Sequence, residues 1–480
     1  MTPTTTPDLC KSAVPAAGQG TIQVTTSPAC TQVTSQFASG ITLSDNTLAY
    51  PWANNNLAAV NNVKGLIKNG IHYQNTPIMG WGLDDPWPDP NSAEPTAWSG
   101  LDARLRLAVD TGATPVLTLS EAPWWMKGQL QGDGSTTVLT QADEWGRIAY
   151  ESRILDNKMD AWCHLVQRIA ERYMVAPYNV RYFQVWNELK GYYDPRINNY
   201  NYTTNAGDPS GPNAKHGYTY MYNRVYETLM ETASSLGIDR STIKVGGPYV
   251  FMDTWSSSNQ SNPSNVVKRY GVFDQRPFDV VQYWLQHKVG AGFVTIDGSI
   301  ENRDTQKLLS DPFTVSEIFG DVVTWIRSLD DSLYPGAKTL PIWFAEWFAS
   351  PHLDTSGEDY DNAVKTYAMI KFIKAGGATA LSWNNVGDNW ADKGLWTTTY
   401  AGGGQPRPWY TSYKALNDFF AAGTPILKTI VSDPARVEAL ATAHKVVLVN
   451  KTDASLTVAV NGNSVSLAPY QVSFIDVTSK

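Results

Sequence analysis

Cysteine is scarce, with 3 in 480 residues. Three thiols make neither a zinc site nor a disulfide-stapled scaffold, so a large core has to hold the chain together. Cys10 and Cys30 are spaced to close a short loop in an oxidising compartment, and Cys163 sits in a helical pattern that reads as a buried free thiol. Charge is thin as well: 17% of residues, 37 Lys and Arg against 45 Asp and Glu, net −8. No basic run interrupts that balance, which argues against a nucleic-acid partner. Glycine-rich phosphate loops are missing too; "GGGQPRP" from residue 402 has no strand–loop–helix with a following Lys around it. His72, His216, His287 and His352 show no metal-ligand spacing, so neither a metal nor a cofactor is expected. No apolar stretch is long enough to cross a bilayer. The start, "MTPTTTPDLCKSAVP", does not read as a secretory leader and is expected to be the beginning of a mature secreted protein behind an added Met. Acceptor triplets for N-glycosylation fall at Asn201, Asn259 and Asn450, a pattern that also arises by chance. The expected location is extracellular.

Aromatic residues are plentiful, with 18 Trp and 24 Tyr. Sugar rings present apolar C–H faces that stack on such side chains. Trp81, Trp87, Trp124, Trp125, Trp347, Trp383 and Trp390 stand beside turn residues or acids, which favours a cleft over a core.

Along the chain, short apolar runs alternate with amphipathic ones. Strands are expected at "GITLSD" (40–45), "TPIMGWG" (76–82), "TPVLTLSEAPWW" (114–125), "VRYFQVWNE" (180–188), "IKVGGPYV" (243–250), "FVTIDGS" (293–299), "LPIWFAEWFAS" (340–350) and "ATALSWNNVGD" (378–388), with helical patterns between them. Eight such units fit a (β/α)8 barrel, whose strands are buried on both faces. A doubly wound open sheet needs neither eight clean units nor polar residues at most strand ends. Past residue 425 the helical period disappears. Val447, Val449, Leu456 and Val458 alternate with polar neighbours, and "VNGNS" signals a hairpin. The expected division is an N-terminal segment over 1–34, a catalytic barrel over 35–425 and an antiparallel β-sandwich module over 426–480. The strand-like "GTIQVTT" near residue 20 is expected to join that module.

Active sites of such barrels lie at the C-terminal ends of the strands. The fourth strand ends in Asn187-Glu188 and the seventh in Glu346, so both carboxylates are expected in one mouth. Two carboxyls about 5 Å apart are the equipment of a retaining glycosidase. Trp186 and Trp347 flank the two glutamates. Either they wall the site or, as period-2 alternation favours, they point outward between strand and helix. Glu121 and Trp124 follow the third strand and are candidates for lining the cleft. Asp84 and Asp85 read as loop residues, and His216 and Tyr218 as surface residues opening a helix.

"VWNE" on the fourth strand and "AEW" on the seventh resemble the signatures of clan A glycoside hydrolases. "TPVLTLSEAPWWM", "WNELKGYY", "YNRVYETLMETASSLGIDRSTIKVGGP" and the terminal β-module are similar to glycoside hydrolase family 39, the β-xylosidases and α-L-iduronidases, over residues 40–400. The resemblance implies Glu188 as acid/base, Glu346 as nucleophile, Asn187 as partner of the sugar 2-hydroxyl, and Trp383 as floor of the subsite for the cleaved sugar. Two departures mark the sequence: Met79 and Trp81 stand where relatives often carry an Arg, and Asp297 where they often carry a His. The expectation is a secreted, cofactor-free retaining glycosidase, β-xylosidase-like, with a carbohydrate substrate. An arabinoside- or galactoside-cleaving enzyme, a transglycosylase and a non-catalytic carbohydrate-binding barrel are the alternatives.

Overall fold

A computed structural model describes residues 21–43, 48, 56–205, 216–349, 357–383 and 394–477. Eight parallel strands close a barrel: Gly40–Thr42, Tyr73–Pro77, Thr114–Leu119, Tyr182–Val185, Lys244–Phe251, Phe293–Ser299, Ile342–Phe348 and Thr379–Trp383. The eighth strand pairs with the first, so no edge is left open. Helices Leu57–Gly70, Ser99–Thr111, Met159–Tyr173, Tyr218–Ser235, Gln275–His287, Ile318–Ser328, Glu358–Lys374 and Pro408–Phe420 follow the strands in turn. Their boundaries have local causes. Asn56 and Asp274 cap their helices through side-chain oxygens on Ala58 and Arg276 N–H groups, and Gly112 ends its helix in the left-handed region at φ 75°. The second strand lies earlier than the sequence pattern suggests, because the chain turns at Gly80, Trp81 and Gly82, all at positive φ.

The barrel interior is layered. At the N-terminal end, Tyr73, Val116, Tyr182, Phe293, Trp343 and Leu381 pack together. Trp343 stacks on Phe293 at 4.4 Å and on Tyr182 at 5.7 Å. Above them runs a belt of buried polar side chains. The Asn75 amide donates to Thr42 Oγ1 (3.0 Å), the Thr118 hydroxyl to Asn75 Oδ1 (2.8 Å), the Gln184 amide to Thr118 Oγ1 (3.0 Å) and the Thr295 hydroxyl to Gln184 Oε1 (2.7 Å). Each group in the belt has a partner, which is the condition for burying it.

A second unit is a seven-stranded sheet in which Thr21–Thr34 pairs with Pro425–Val431 and with Leu456–Val460. The "GTIQVTT" segment thus joins this sheet. Its pairing with Leu456–Val460 is parallel, so the sheet is mixed rather than purely antiparallel. Helix Glu358–Lys374 lies between barrel and sheet, which explains why its buried residues run almost without a break from Asp361 to Ile373. Glu438 on the sheet pairs with Lys371 (2.6 Å) and Lys374 (2.7 Å) at that helix's last turn. Burial opposes its charge, but the two lysines outweigh burial and hold its carboxyl down at about 2.

Cys163 is a buried free thiol and Cys30 is disulfide-bonded; its expected partner, Cys10, lies outside the described residues. Asn450 is fully buried and its amide donates to two backbone carbonyls, so that glycosylation triplet is structural.

Candidate active site

Regular alternation would not aim Glu346 inward once Trp343 faces the barrel axis. A β-bulge resolves this. Ile296 pairs with Phe344 and Asp297 with Glu346, leaving Ala345 as the extra residue. Glu346 then turns into the mouth, and Trp347 turns out against Phe319 and Trp409 in the helical layer. The fifth strand has a similar irregularity at Tyr249, whose φ is 53°. On the fourth strand, Trp186 at φ 71° reverses the outlook of the residues after it. It packs edge-on against Trp162, while Asn187 faces Glu346. Both tryptophans next to the glutamates therefore belong to the barrel wall.

Glu346 is buried. Its Oε1 accepts from the Asn187 amide (3.1 Å) and the Tyr249 hydroxyl (3.0 Å). Burial and the charge of Glu188 push its pKa well above the ordinary carboxylate range, against the pull of those donors and of Lys190. Glu188, with its side chain 11% exposed, is ion-paired with Lys190 at 2.8 Å and meets the Tyr150 hydroxyl at 3.5 Å. Tyr150 also donates to Asn187 Oδ1 at 3.1 Å. Burial works against the Lys190 charge, yet the Glu188 carboxylate holds that ammonium above the usual lysine range. Asp297 is fully buried at the end of the sixth strand, where its Oδ1 accepts the Glu346 backbone N–H at 2.7 Å. Oxygens of Glu188, Asp297 and Glu346 lie within 4.8 Å of one another. Their charge is met by Lys190 and by the amide and hydroxyl donors around them.

One hollow opens on Glu188, and a second lies on the far side of Tyr150. The first, of about 580 Å³, has Glu188 in its wall together with Lys190, Tyr193, Tyr200, Asp253 and Arg303. The second, of about 370 Å³, is lined by Trp81, Glu121, Trp124, Lys127, Trp145 and Tyr150. Glu121 is buried there against Lys127, and burial raises its pKa against the pull of that lysine. Gly80 allows this packing: its φ is 90°, and a Cβ would sit 2.9 Å from Glu121 Cγ.

The expected residues Asn187, Glu188, Asp297 and Glu346 thus meet at one point. Trp81, Glu121 and Trp124 gather in the neighbouring hollow, reached through Tyr150. Trp383 ends the eighth strand, but its side chain lies outside the described residues, as does Trp390. Other tryptophans proposed for a cleft are core: Trp87 and Trp125 pack edge-on at 5.2 Å, with the Trp125 N–H on the Trp87 carbonyl. His216 and Tyr218 are also interior, His216 stacking on Tyr220 and Tyr218 donating to the Val185 carbonyl. Tyr249, Tyr150 and Lys190 were not singled out from sequence. The Glu188-x-Lys190 spacing was visible there, whereas the bulge that recruits Tyr249 was not.

Comparison with known proteins places this architecture. The C-terminal immunoglobulin-like domain of D-apionate lactonase matches residues 434–475, within the accessory sheet and away from the carboxylates. No curated protein matches the sequence. Among solved structures, a conserved exported protein from Bacteroides fragilis superposes with a TM-score of 0.59 at 11% identity, covering 95% of this chain and 100% of that one. A family 30 subfamily 8 xylanase from Clostridium acetobutylicum gives 0.52 at 12% identity, covering 95% and 98%. A monomeric β-xylosidase from Caulobacter crescentus gives 0.50 at 16% identity, covering 90% and 76%. The protein shares its fold, a (β/α)8 barrel with an accessory sheet, with glycoside hydrolases of the kind its sequence resembles.

Proposed function

We propose that the protein is a retaining glycoside hydrolase acting on oligo- or polysaccharides. The observation that carries this reading is the approach of Glu188 and Glu346, from opposed strands, to within 4.8 Å at their nearest oxygens. That is the spacing for attack by one carboxylate while the other delivers a proton, with no room for an intervening water. Glu346 is the nucleophile: two donors on Oε1 and the bulge fix its aim at the anomeric carbon. Glu188 is the acid/base, because it lies in the wall of the larger hollow, where a departing group has space. In the first step Glu346 bonds the anomeric carbon as the glycosidic C–O bond breaks and Glu188 protonates the leaving oxygen. In the second, Glu188 takes a proton from water, whose oxygen displaces Glu346.

Asn187 is assigned to the sugar 2-hydroxyl, Trp383 to the floor of the subsite, and Trp81, Trp124, Glu121 and Asp297 to its surroundings. A β-xylosidase-like activity is the leading choice, followed by arabinoside or galactoside cleavage and transglycosylation. A binding-only barrel would be expected to lack one carboxylate, and both are present. We assign residues 35–425 to the catalytic unit, with 1–34 and 426–480 as its accessory module. The disulfide at Cys30 supports an extracellular site of action.

A panel of aryl glycosides and polysaccharides tests the activity. Glu346→Ala should abolish turnover, and azide should restore it as a glycosyl azide of inverted configuration. Glu188→Ala should spare good leaving groups. A swapped rescue pattern would reverse the two roles, and inverted product from the wild type would reject retention.

A further inference from the structure

An acid/base residue needs a proton before it can act, yet Glu188 is held in an ion pair by Lys190 at 2.8 Å. The proton of the cluster must reside elsewhere, and the surroundings of the three carboxyls differ enough to say where. Glu346 has the Asn187 and Tyr249 donors. Glu188 has Lys190 and Tyr150. Among the described residues Asp297 has only one backbone N–H, on Oδ1, and its Oδ2 accepts from no donor; the residue is fully buried. The titratable groups facing it among the described residues are Glu346 on the seventh strand, Glu188 beyond the fourth, Tyr249 on the fifth and Tyr150 beyond the third. None of them is a cation. Asp297 nevertheless has a carboxyl oxygen within 4.8 Å of one of Glu188. Two carboxyl oxygens share a hydrogen bond only when a proton lies between them.

We propose that Asp297 is the proton store of the site, neutral in the resting protein and donating through Oδ2 to the Glu188 carboxylate. This rests on the glycosidase reading and deepens it. In glycosylation the Asp297 proton passes to the Glu188 carboxylate and on from it to the leaving oxygen, the glycosidic C–O bond breaks as Glu346 bonds the anomeric carbon, and Asp297 and Glu188 are both left ionised. In deglycosylation water gives its proton to Glu188, the water oxygen bonds the anomeric carbon, the bond to Glu346 breaks, and the proton returns to Asp297. The cycle restores every group and consumes one water. Burial and the two neighbouring glutamate charges raise the Asp297 pKa well above the usual range, in keeping with this seat for the proton. Asp297 acts through Glu188 and is a positioning residue rather than one that meets the sugar.

The test has two arms. Infrared spectroscopy of the wild-type protein at neutral pH should show a protonated-carboxyl stretch that is lost in Asp297→Asn. The absence of any such band in the wild type, or its persistence in the variant, overturns the proposal, and the wild-type measurement stands even if the variant fails to fold. In the second arm, Asp297→Asn should lose about 100-fold in kcat/KM on glycosides with poor leaving groups, the scale of general acid catalysis. It should lose only a few-fold on an activated dinitrophenyl glycoside. Equal loss on both, as from a damaged sugar site, or no loss on either, overturns it. If the band is at Asp297 but the wild type cleaves no glycoside, the hydrolase reading and the transfer step fail together while the seat of the proton stands.

Discussion

The two mouths of the barrel are built by opposite rules. At the N-terminal mouth the register is regular and the interior is aromatic: Tyr73, Tyr182, Phe293 and Trp343 stack across the axis. A hollow of about 660 Å³ opens there, lined by these rings with His72 and Lys244 but no carboxylate. At the C-terminal mouth the fourth, fifth and seventh strands each break regularity, at Trp186, Tyr249 and Ala345, and three carboxyls converge. Size of cavity is thus a poor guide to chemistry in this molecule. Departure from regular backbone, together with buried charge, is a better one.

The sharpest way to break this contrast is a change at each end. Glu346→Gln should lower kcat by about 10⁶-fold, the scale seen when an enzyme's nucleophile is removed. It should not lower the melting temperature, because it relieves a buried carboxyl crowded by its neighbours. Trp343→Ala should do the reverse. It should cost about 3–5 kcal/mol in denaturant unfolding, as for other buried Trp-to-Ala changes, and leave kcat/KM per folded molecule within about twofold. Equal damage to activity from both variants would erase the distinction between the mouths.

Between these lies the junction of helix and sheet. The Glu438 carboxyl is depressed to about 2 from an ordinary 4.5, so its contribution is present above the ordinary value and disappears as pH falls toward the depressed one. Glu438→Gln should therefore destabilise the protein by roughly 3 kcal/mol at neutral pH, with the difference from wild type shrinking on acid titration. A constant difference down to pH 2 would place the effect in packing. The smallest change expected is Tyr249→Phe, which removes one donor to the nucleophile. Losing a hydrogen bond to a charged group costs about 1.5–3 kcal/mol, or roughly 10- to 100-fold in kcat/KM. The donor favours the ionised form, so its loss should move the acidic limb of the pH profile upward. An unmoved limb would detach Tyr249 from Glu346.

Much of this was legible in the sequence because it depends on period. The eight strands announce themselves as short apolar runs between amphipathic ones, and Glu188 and Glu346 mark the ends of two of them. The three small sheets inserted after the third, fourth and fifth strands were not read, since their strands, such as Tyr193–Asp194 and Thr254–Trp255, are too short to carry a period. Alternation also fails at a bulge: it cannot say that Ala345 is the extra residue, so it leaves the facing of Glu346 and Trp347 undecided. Tyr249 was hidden for the same reason, inside an ordinary "GGPYV" strand. Tryptophan counts misled in the other direction, because the loops that carry Trp87 and Trp125 beside their turn residues pack these rings into the main hydrophobic core.

The mixed sheet also bears on the order of events during synthesis. Gln23 and Ser432, bonded to each other, are 409 residues apart in the chain. On a ribosome the Thr21–Thr34 strand emerges early and has neither of its partners until nearly everything else has followed. All eight barrel strands can meet first, so the sheet is the last part to close. For that interval a strand bearing Ile22 and Val24 is unpaired and open to strands of other chains. Whatever shelters it then, whether a helper protein or sheer speed of elongation, governs how much of the product becomes folded protein rather than aggregate.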